Sequence, residues 1–326
     1  MIIRIIDIGS NSVKASLYSV EQGRHKMLSR DKLNYSLGNT VFSEGAIPEN
    51  GIERVASFIL TKPEPRAQER AHFTFALATS AVRSASNRDV FVKKIQDKTG
   101  VEVRVLSGAE ESYLIHTGIV SQAGAAASDV IKTIDIGGGS AEVSWSRGGS
   151  YLFGRSYELG AIRLARRFLN GKVFSREIFD RIRDHAAEEF LTRSPSSTQA
   201  ANRAIGSSGN VRAIRRMAET VRAPEFLKSI APITPGTLED IVEAALNKTP
   251  AQIAENFGIN PERAAIVMPA VAVLLAGMRH FDMQRLETTE AGLREGAVDF
   301  WSRNGHFNLP LKEEDAHNET PSKSKR

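Results

Sequence analysis

The 326-residue chain has no cysteine, which excludes disulfides and thiolate metal sites. Aromatic residues are only 7% of it, and none interleave with basic residues to make a stacking surface for nucleic acid. No basic, apolar and small-residue leader pattern opens the chain, which runs straight into a strand. The longest apolar segment, around Ala264–Ala276, contains Pro269 and is too short for a bilayer span. The seven histidines, at 25, 72, 116, 185, 280, 306 and 317, show no ligand spacing, so a zinc site is excluded and His116 reads as a helix-face residue. These absences lead us to expect a cytoplasmic protein without nucleic-acid or membrane partners. What remains is ordinary for a soluble globular chain: 41% hydrophobic, 25% charged, and long enough for two cores.

Glycine, by contrast, is concentrated. "TIDIGGGSAEVSW" (133–145) ends a buried-strand pattern in three consecutive glycines, and glycine weakens strands unless something must approach the backbone closely. "IIDIGSNSVKASL" (5–17) repeats the pattern 128 residues earlier, matching Ile6 to Ile134, Ile8 to Ile136, Gly9 to Gly137, Ser12 to Ser140 and Ser16 to Ser144. Each copy reads as a β-hairpin whose tip exposes N–H groups able to hold an oxyanion. An ordinary hairpin turn explains either copy alone. The two together suggest two related domains and a two-sided phosphate clamp, Gly9, Ser10, Asn11 and Ser12 facing Gly137, Gly138, Gly139 and Ser140.

Strands and helices alternate throughout, an α/β pattern. After the first hairpin, 37–51 reads as a loop and 52–60 as a helix. A strand (71–78) leads to "TSAVRSASN". The stretch from Asn87 as N-cap to Gly100 reads as an amphipathic helix with Val90, Phe91, Lys94 and Ile95 inward. A strand (101–106) precedes a helix opening at "SGAEES". "AGAAAS" (123–128) is the expected boundary between domains 1–122 and 123–305. Helices are expected near 161–169, 175–191, 238–247, 262–281 and 292–301, the last packing back on the first domain. "SPSSTQAAN" (194–202) reads as a loop, and 306–326 as a disordered tail.

Several residues are placed to do chemistry. Ser107 and Glu110 form an S-x-x-E capping box, which gives Glu110 a structural task and leaves Glu111 free. Glu111 reads either as an exposed helix glutamate or as a site residue, because its helix starts at a strand C-terminus. Thr79-Ser80 ends a strand and puts Arg83 in the first turn of the next element, within reach of an anion. "AIGSSGN" (204–210) is a third glycine loop, with Ser207, Ser208 and Gly209 at its turn and Arg212, Arg215 and Arg216 along the helix it opens. Asp135 and Glu142 flank the triple-glycine tip, a carboxylate pair that suits Mg²⁺; Asp135 reads equally as an acceptor of turn N–H groups. Between Arg155 and Arg222 there are fourteen Lys/Arg against seven Asp/Glu, thirteen of the fourteen arginine. That excess reads as a solvated face or as a polyanion site.

"DIGSNSVKASL", "ATSAVRSASN", "SGAEES", "DIGGGSAEV", "SYELGAIRL", "IGSSGN" and "GLREGAV", in that order and covering about residues 2 to 302, resemble the exopolyphosphatase / guanosine pentaphosphate phosphohydrolase family, in its short, two-domain branch. The resemblance implies an actin-like ATPase fold, two ribonuclease-H-like domains around a cleft. It implies Glu111 as the base, Arg83 as a phosphate-gripping catalytic arginine, and Asp135 and Glu142 as carboxylates at a Mg²⁺ or Mn²⁺ ion. Ser112, Asn210 and Val267–Val271 depart from the family pattern, which has alanine, threonine and a Pro-Gly-Gly turn there. The implied partners are inorganic polyphosphate or guanosine penta- or tetraphosphate, with a homodimer as the oligomer to test. An actin-like kinase and a non-catalytic polyphosphate or alarmone sensor are the rival readings, and both fail if phosphate is released without an acceptor.

Overall fold

The computed structural model describes residues 1–61, 71–124, 126, 128–169, 171, 173–195, 201–222 and 233–311. The chain makes the same sheet twice. In the first, β1 (Ile2–Ile8), β2 (Val13–Glu21) and β3 (Arg24–Leu33) form an antiparallel meander. β4 (Phe73–Ala78) and β5 (Val103–Val105) add parallel strands on the other side of β1, giving the order β3-β2-β1-β4-β5. In the second, β6 (Val130–Ile136), β7 (Ala141–Arg147) and β8 (Ser150–Tyr157) make the meander. β9 (Arg203–Ser207) and β10 (Leu286–Thr288) extend β6 in parallel. This ribonuclease-H-like order, repeated, gives the expected α/β class: two lobes around a cleft. The central strands are apolar on both faces, as strands covered by helices on either side must be.

Helices fill the crossovers. The first lobe carries α1 (Leu37–Glu44), α2 (Glu49–Thr61), α3 (Ser80–Ser84), α4 (Arg88–Thr99) and α5 (Gly108–Ala123). The second carries α6 (Ala161–Leu164), which runs into a π-helical turn (Ala165–Leu169), then α7 (Arg176–Arg193) and α8 (Ser208–Val221). α9 (Pro235–Ala245), α10 (Pro250–Phe257), α11 (Pro261–His280) and α12 (Leu293–Asn304) complete the described chain. α11 is longer than the apolar segment suggests and keeps Pro269 inside it. Its Val267–Gly277 stretch is buried in the core of the second lobe, against α7 and α8.

Several expectations need correction. The segment 37–51 is not a loop: α1 and the start of α2 lie in it, α1 ending at Gly45 in the left-handed region. Asn87 precedes α4 but does not cap it, since its amide instead donates to the Ile47 carbonyl and accepts from the Ile47 N–H. On α4 only Phe91 and Ile95 are buried; Val90 is exposed and Lys94 reaches Glu49 at 2.6 Å. β3, α10 and β10 were not expected, because β3 is a charged edge strand and the other two are short. The tail does not begin at 306: Phe307 packs on Phe75 at 5.0 Å, and Leu309 joins the same cluster. Beyond Leu311 the expected tail lies outside the described residues, as do Ala125 and Ala127 of the expected boundary and most of the loop at 194–202.

α12 crosses α5 and also touches β1, β2 and β3 of the first sheet. The crossing is possible because it is made of glycine. A Cβ on Gly296 would lie 1.7 Å from the Leu114 carbonyl oxygen, and one on Gly118 would lie 2.2 Å from the Gly292 oxygen. Tyr18 on β2 locks the arrangement by donating to Glu295 at 2.7 Å. An alanine in a helix interior is normally worth up to about 1 kcal/mol over glycine. Here the sign reverses, because the neighbour is backbone. Gly296→Ala is expected to lower the unfolding free energy by about 1–3 kcal/mol, read from urea melts, whereas Gly236→Ala on α9, where a Cβ would meet nothing nearer than 3.9 Å and the backbone is not left-handed, should cost nothing or stabilise slightly.

Candidate active site

The two glycine tips meet. Each closes with the same backbone bond, Gly9 N–H to the Ser12 oxygen at 3.2 Å and Gly137 N–H to the Ser140 oxygen at 2.9 Å. Asp7 and Lys14 are cross-strand partners in the first hairpin, as Asp135 and Glu142 are in the second. A Cβ on Gly139 would lie 2.5 Å from the Ser80 oxygen and 2.6 Å from the Ser10 oxygen, and one on Gly138 would lie 3.1 Å from the Ser10 Cβ. Gly138 and Gly139 are thus hemmed in by the opposing hairpin and its neighbours, whatever lies in the cleft, whereas a Cβ on Gly137 would meet only its own hairpin.

Helix starts turn the tip carbonyls away. Gly38 at the start of α1 donates to the Ser10 oxygen at 2.8 Å. Ala161 and Ile162 of α6 donate to the Gly137 and Gly138 oxygens at 3.0 and 2.8 Å. Arg163 holds the Gly139 oxygen through Nε at 2.9 Å. Gly160 must also be glycine, since its Cβ would sit 2.2 Å from the Gly139 carbonyl carbon. With their negative ends engaged inside the protein, the tips present the positive side of their peptides, the polarity an oxyanion needs.

Both tips line one cleft of about 540 Å³, with Asp7, Glu111 and Asp135 in its wall. The capping box at α5 forms as expected: Ser107 Oγ accepts from the Glu110 N–H, and Glu110 accepts from the Ser107 N–H at 2.8 Å. Glu110 also pairs with Arg104. Glu111, one residue on, is buried and bonded instead to Arg83 at 2.9 Å. Burial pushes its carboxyl above the usual range, and the Arg83 guanidinium pulls it back. Arg83 lies, as expected, in the first turn of the next element, which is the single turn α3, and its guanidinium also donates to the Leu106 carbonyl at 2.8 Å. It stands behind Glu111 rather than in the cleft wall.

Around Glu111 the carboxylates crowd one another. Burial raises Asp135 to about 6, with Lys14 pulling against it and Asp7 adding to the rise. Glu142 lies well above the usual range through burial and then through Glu111 and Asp135. It accepts from Ser156 at 2.7 Å and sits behind Asp135, outside the cleft wall. Asp7, which occupies the position equivalent to Asp135, went unweighed in the sequence; the hairpin alignment was the signal that could have found it.

The third loop also reaches the cleft with Ser207, Ser208 and Gly209. Ser207 spends its hydroxyl proton on the Ala291 carbonyl at 2.6 Å. Ser208 holds φ at 90°, a left-handed backbone uncommon for a serine, and accepts the Val211 N–H at 3.2 Å. Asn210 donates to the Ile136 and Gly137 oxygens at 2.8 and 3.1 Å, joining this loop to the second hairpin. The arginine-rich segment does not form one track. Arg176, Arg193, Arg203 and Arg215 pair with Glu243, Glu189, Glu287 and Glu219, two of which lie outside the segment. Of Arg212, Arg215 and Arg216, only Arg212 lines the cleft. His116 is buried on α5 against Thr133, and burial pushes its ring down to about 3, so it is a neutral core residue.

The Ppx/GppA phosphatase family model matches residues 16–304. The chain belongs to that family. Among curated Ppx/GppA relatives, exopolyphosphatase 1 of Mycobacterium tuberculosis is 27% identical over 300 residues, covering 90% of this chain and 86% of the relative. The guanosine-5'-triphosphate,3'-diphosphate pyrophosphatase of Photobacterium profundum is 25% identical over 294 residues, with 90% of this chain matched to 58% of that longer protein. The fold is shared with the Ppx/GppA family member of Aquifex aeolicus (TM-score 0.77, 20% identity, 94% of this chain and 99% of that one). It is equally shared with an exopolyphosphatase of Cytophaga hutchinsonii (TM-score 0.76, 20% identity, 95% and 100%). Against the Ppx/GppA pattern, the departures have local uses here. Ser112 bonds Ser144 at 2.7 Å, Asn210 bridges two loops, and Val267–Val271 is uninterrupted helix.

The raised carboxyl of Asp135 carries a sign. A carboxyl held above its unfolded value binds more protons in the native state, so its stabilising contribution is present at low pH and lost as pH rises through about 6. Asp135→Asn, in chelator, is therefore expected to raise the melting temperature at pH 8 by a few degrees and to leave it nearly unchanged at pH 4. Calorimetry at the two pH values reads this directly; equal shifts at both would assign the effect to packing.

Proposed function

We propose that the chain hydrolyses the terminal phosphoanhydride of inorganic polyphosphate, releasing orthophosphate. The observation that carries this is Glu111: buried in the cleft wall, excused from capping by Glu110, and held by Arg83 beside two opposed N–H-bearing tips. In this reading the tip N–H groups of residues 10–12 and 138–140, with the loop at 207–209, hold the terminal phosphates, while the Gly9 and Gly137 N–H groups close the hairpins. Glu111 accepts the proton of the attacking water, and Arg83 keeps its carboxylate oriented. Arg83 is thus a positioning residue for the base. Holding the substrate in line and neutralising its charge supply the larger share of the rate.

A divalent cation suits the same floor. Among the described residues no three acidic or histidine side chains are grouped as a ligand set. Asp7 and Asp135, however, stand at equivalent positions in the wall, and the Asp7 charge adds to the rise of the Asp135 carboxyl. Such a pair would hold Mg²⁺ or Mn²⁺ by two carboxylates, with phosphate oxygens and water completing the shell, and Glu142 would support it from behind. Bound there, the ion would neutralise charge on the phosphates. Relatives named for guanosine pentaphosphate keep the 5′-phosphohydrolase activity as a second reading.

Phosphate release from polyphosphate without any acceptor tests the proposal against a kinase and a sensor. Glu111→Gln should lose about 10²–10⁴ of that rate while still binding polyphosphate. Glu110→Ala should keep most of the rate and lose about 1–2 kcal/mol of stability as a capping defect. Exchanged phenotypes would overturn the assignment. Because burial raises the Glu111 carboxyl, the acid limb of kcat/KM should fall above the usual carboxylate range, with activity rising as pH increases through it and the limb absent in Glu111→Gln. Activity should vanish in chelator and return with Mg²⁺ or Mn²⁺.

A further inference from the structure

The stretch "SYELGAIRL" (156–164) contributes no residue to the cleft wall, yet it sets the second tip. α6 opens inside it, and its first N–H groups meet the tip carbonyls in turn. Ala161 takes the Gly137 oxygen at 3.0 Å, and Ile162 and Arg163 share the Gly138 oxygen at 2.8 and 3.2 Å. Leu164 already bonds back to Gly160 at 3.0 Å, so the helix's own ladder takes over from there. The next carbonyl of the tip, that of Gly139, is met by none of these N–H groups. A side chain holds it instead: Arg163 Nε, at 2.9 Å.

Arg163 reaches that oxygen from a seat between the lobes. Its Nη2 donates to Ser84 Oγ at 3.1 Å, and its guanidinium lies 4.3 Å over the Phe42 ring, both in the first lobe. Glu158, largely exposed, meets Nη1 at 3.4 Å. The Phe42 ring in turn presses on Gly139, with Cζ 2.6 Å from where a Cβ would be. One peptide is thus gripped at its Cα by Phe42 and at its carbonyl by Arg163. Burying a guanidinium has a desolvation cost. Burial holds that of Arg163 below its ordinary value, with Glu158 drawing it back and Arg83 pushing it further down.

We propose that Arg163 is a positioning residue: by holding the Gly139 oxygen, it aims the Ser140 N–H at the terminal phosphate. The proposal rests on the hydrolytic reading above. A peptide is planar and trans, so its N–H points opposite to its carbonyl. With the Gly139 oxygen turned onto Arg163, the Ser140 N–H is turned the other way. Ser140 lines the cleft, and among the described residues no acceptor takes its N–H. Arg163 itself does not line the cleft, so it acts through this peptide and not by touching the substrate. The first tip is held differently: the Ser10 oxygen accepts from the Gly38 N–H at 2.8 Å and from Ser36 Oγ at 3.2 Å. A donor fixed before the reaction stabilises charge on the phosphoryl oxygens better than one that must first reorient. Because the guanidinium is seated on Phe42 and Ser84, the first lobe sets the aim of a donor in the second.

The test compares phosphate release from tripolyphosphate by the wild type, Arg163→Lys, Arg163→Gln, Phe42→Leu and Glu158→Gln. Both Arg163 variants should lose about ten- to hundredfold in kcat, with KM moved by less than about threefold. Phe42→Leu, which loosens the guanidinium without removing it, should lose about three- to tenfold. Glu158→Gln, which removes an exposed partner, should stay within about twofold. A second readout follows the peptide itself. With glycine labelled at its carbonyl carbon and serine at its nitrogen, only Gly9–Ser10, Gly139–Ser140, Gly149–Ser150 and Gly206–Ser207 give signals. In Glu111→Gln, tripolyphosphate should shift the Gly139–Ser140 signal and leave Gly149–Ser150, at the far end of β7, in place. With Arg163→Lys added, the Gly139–Ser140 signal should move less than half as far at saturation, while Gly9–Ser10 still reports binding. Wild-type kcat in Arg163→Lys would overturn the proposal, since charge alone would then suffice. A Gly139–Ser140 signal that ignores tripolyphosphate, or follows it equally with and without Arg163, would do the same. Should the Arg163 variants not fold, Phe42→Leu makes the comparison, and wild-type kcat in it would also overturn the proposal. No phosphate release by the wild type would instead remove the hydrolytic reading, and the labelled titration would still decide whether Arg163 sets this peptide.

Discussion

Everything at the cleft depends on two backbone tips touching. Ser10 and Ser80 occupy the space a side chain on Gly139 would need, and the Gly139 backbone occupies the space a side chain on Gly160 would need. That contact brings two sheets with separate cores to one line, and it sets the distance between the halves of any phosphate clamp. Helix starts reinforce it by engaging the tip carbonyls, so one arrangement fixes both the spacing and the polarity of the site. Small residues are needed where the lobes touch, and the glycine signal in the sequence reports that requirement before any ligand is considered.

The cleft is divided electrically. Its floor holds Glu111 and Asp135, whose protons burial pushes on, while Lys and Arg side chains, several of them paired, line the rest of the wall. Neither half is comfortable alone, because like charges in a partly dehydrated cavity raise one another's energy. A substrate made of phosphates, with a cation beneath it, would relieve both halves together. Perturbed carboxyls of this kind cluster at functional sites.

Much of this was legible in the residues. The duplicated hairpin predicted two lobes with matched sheets, because alternation and glycine placement are local facts that survive folding. The capping box separated Glu110 from Glu111, since a side chain bonded to its own helix start cannot also face a cleft. Long-range pairing was not legible. The arginine-rich segment reads in sequence as a solvated face or a polyanion site, yet Glu243 and Glu287, from outside it, pair with Arg176 and Arg203. Lys32 and Arg263 lie far apart in sequence with no motif to join them, so only the folded structure brings both into the cleft wall. Asn87 had the chemistry of a cap and was drawn instead to the Ile47 backbone, a tertiary bond that no local rule anticipates.

The crossing of α5 and α12 has a consequence for the order of events as the chain is made. The helix that carries Glu111 belongs to the first half of the sequence, yet one of its faces is covered by residues 293–304, near the end of the described chain. On a ribosome, the first sheet can assemble while α5 still shows its apolar side to water, and so can the hairpin that will face the second tip. The side of α5 that receives Gly296 stays open until the last helix emerges. Completion of the packing around α5 thus waits for nearly the whole chain, and a form that ends before α12 lacks the cover over this helix.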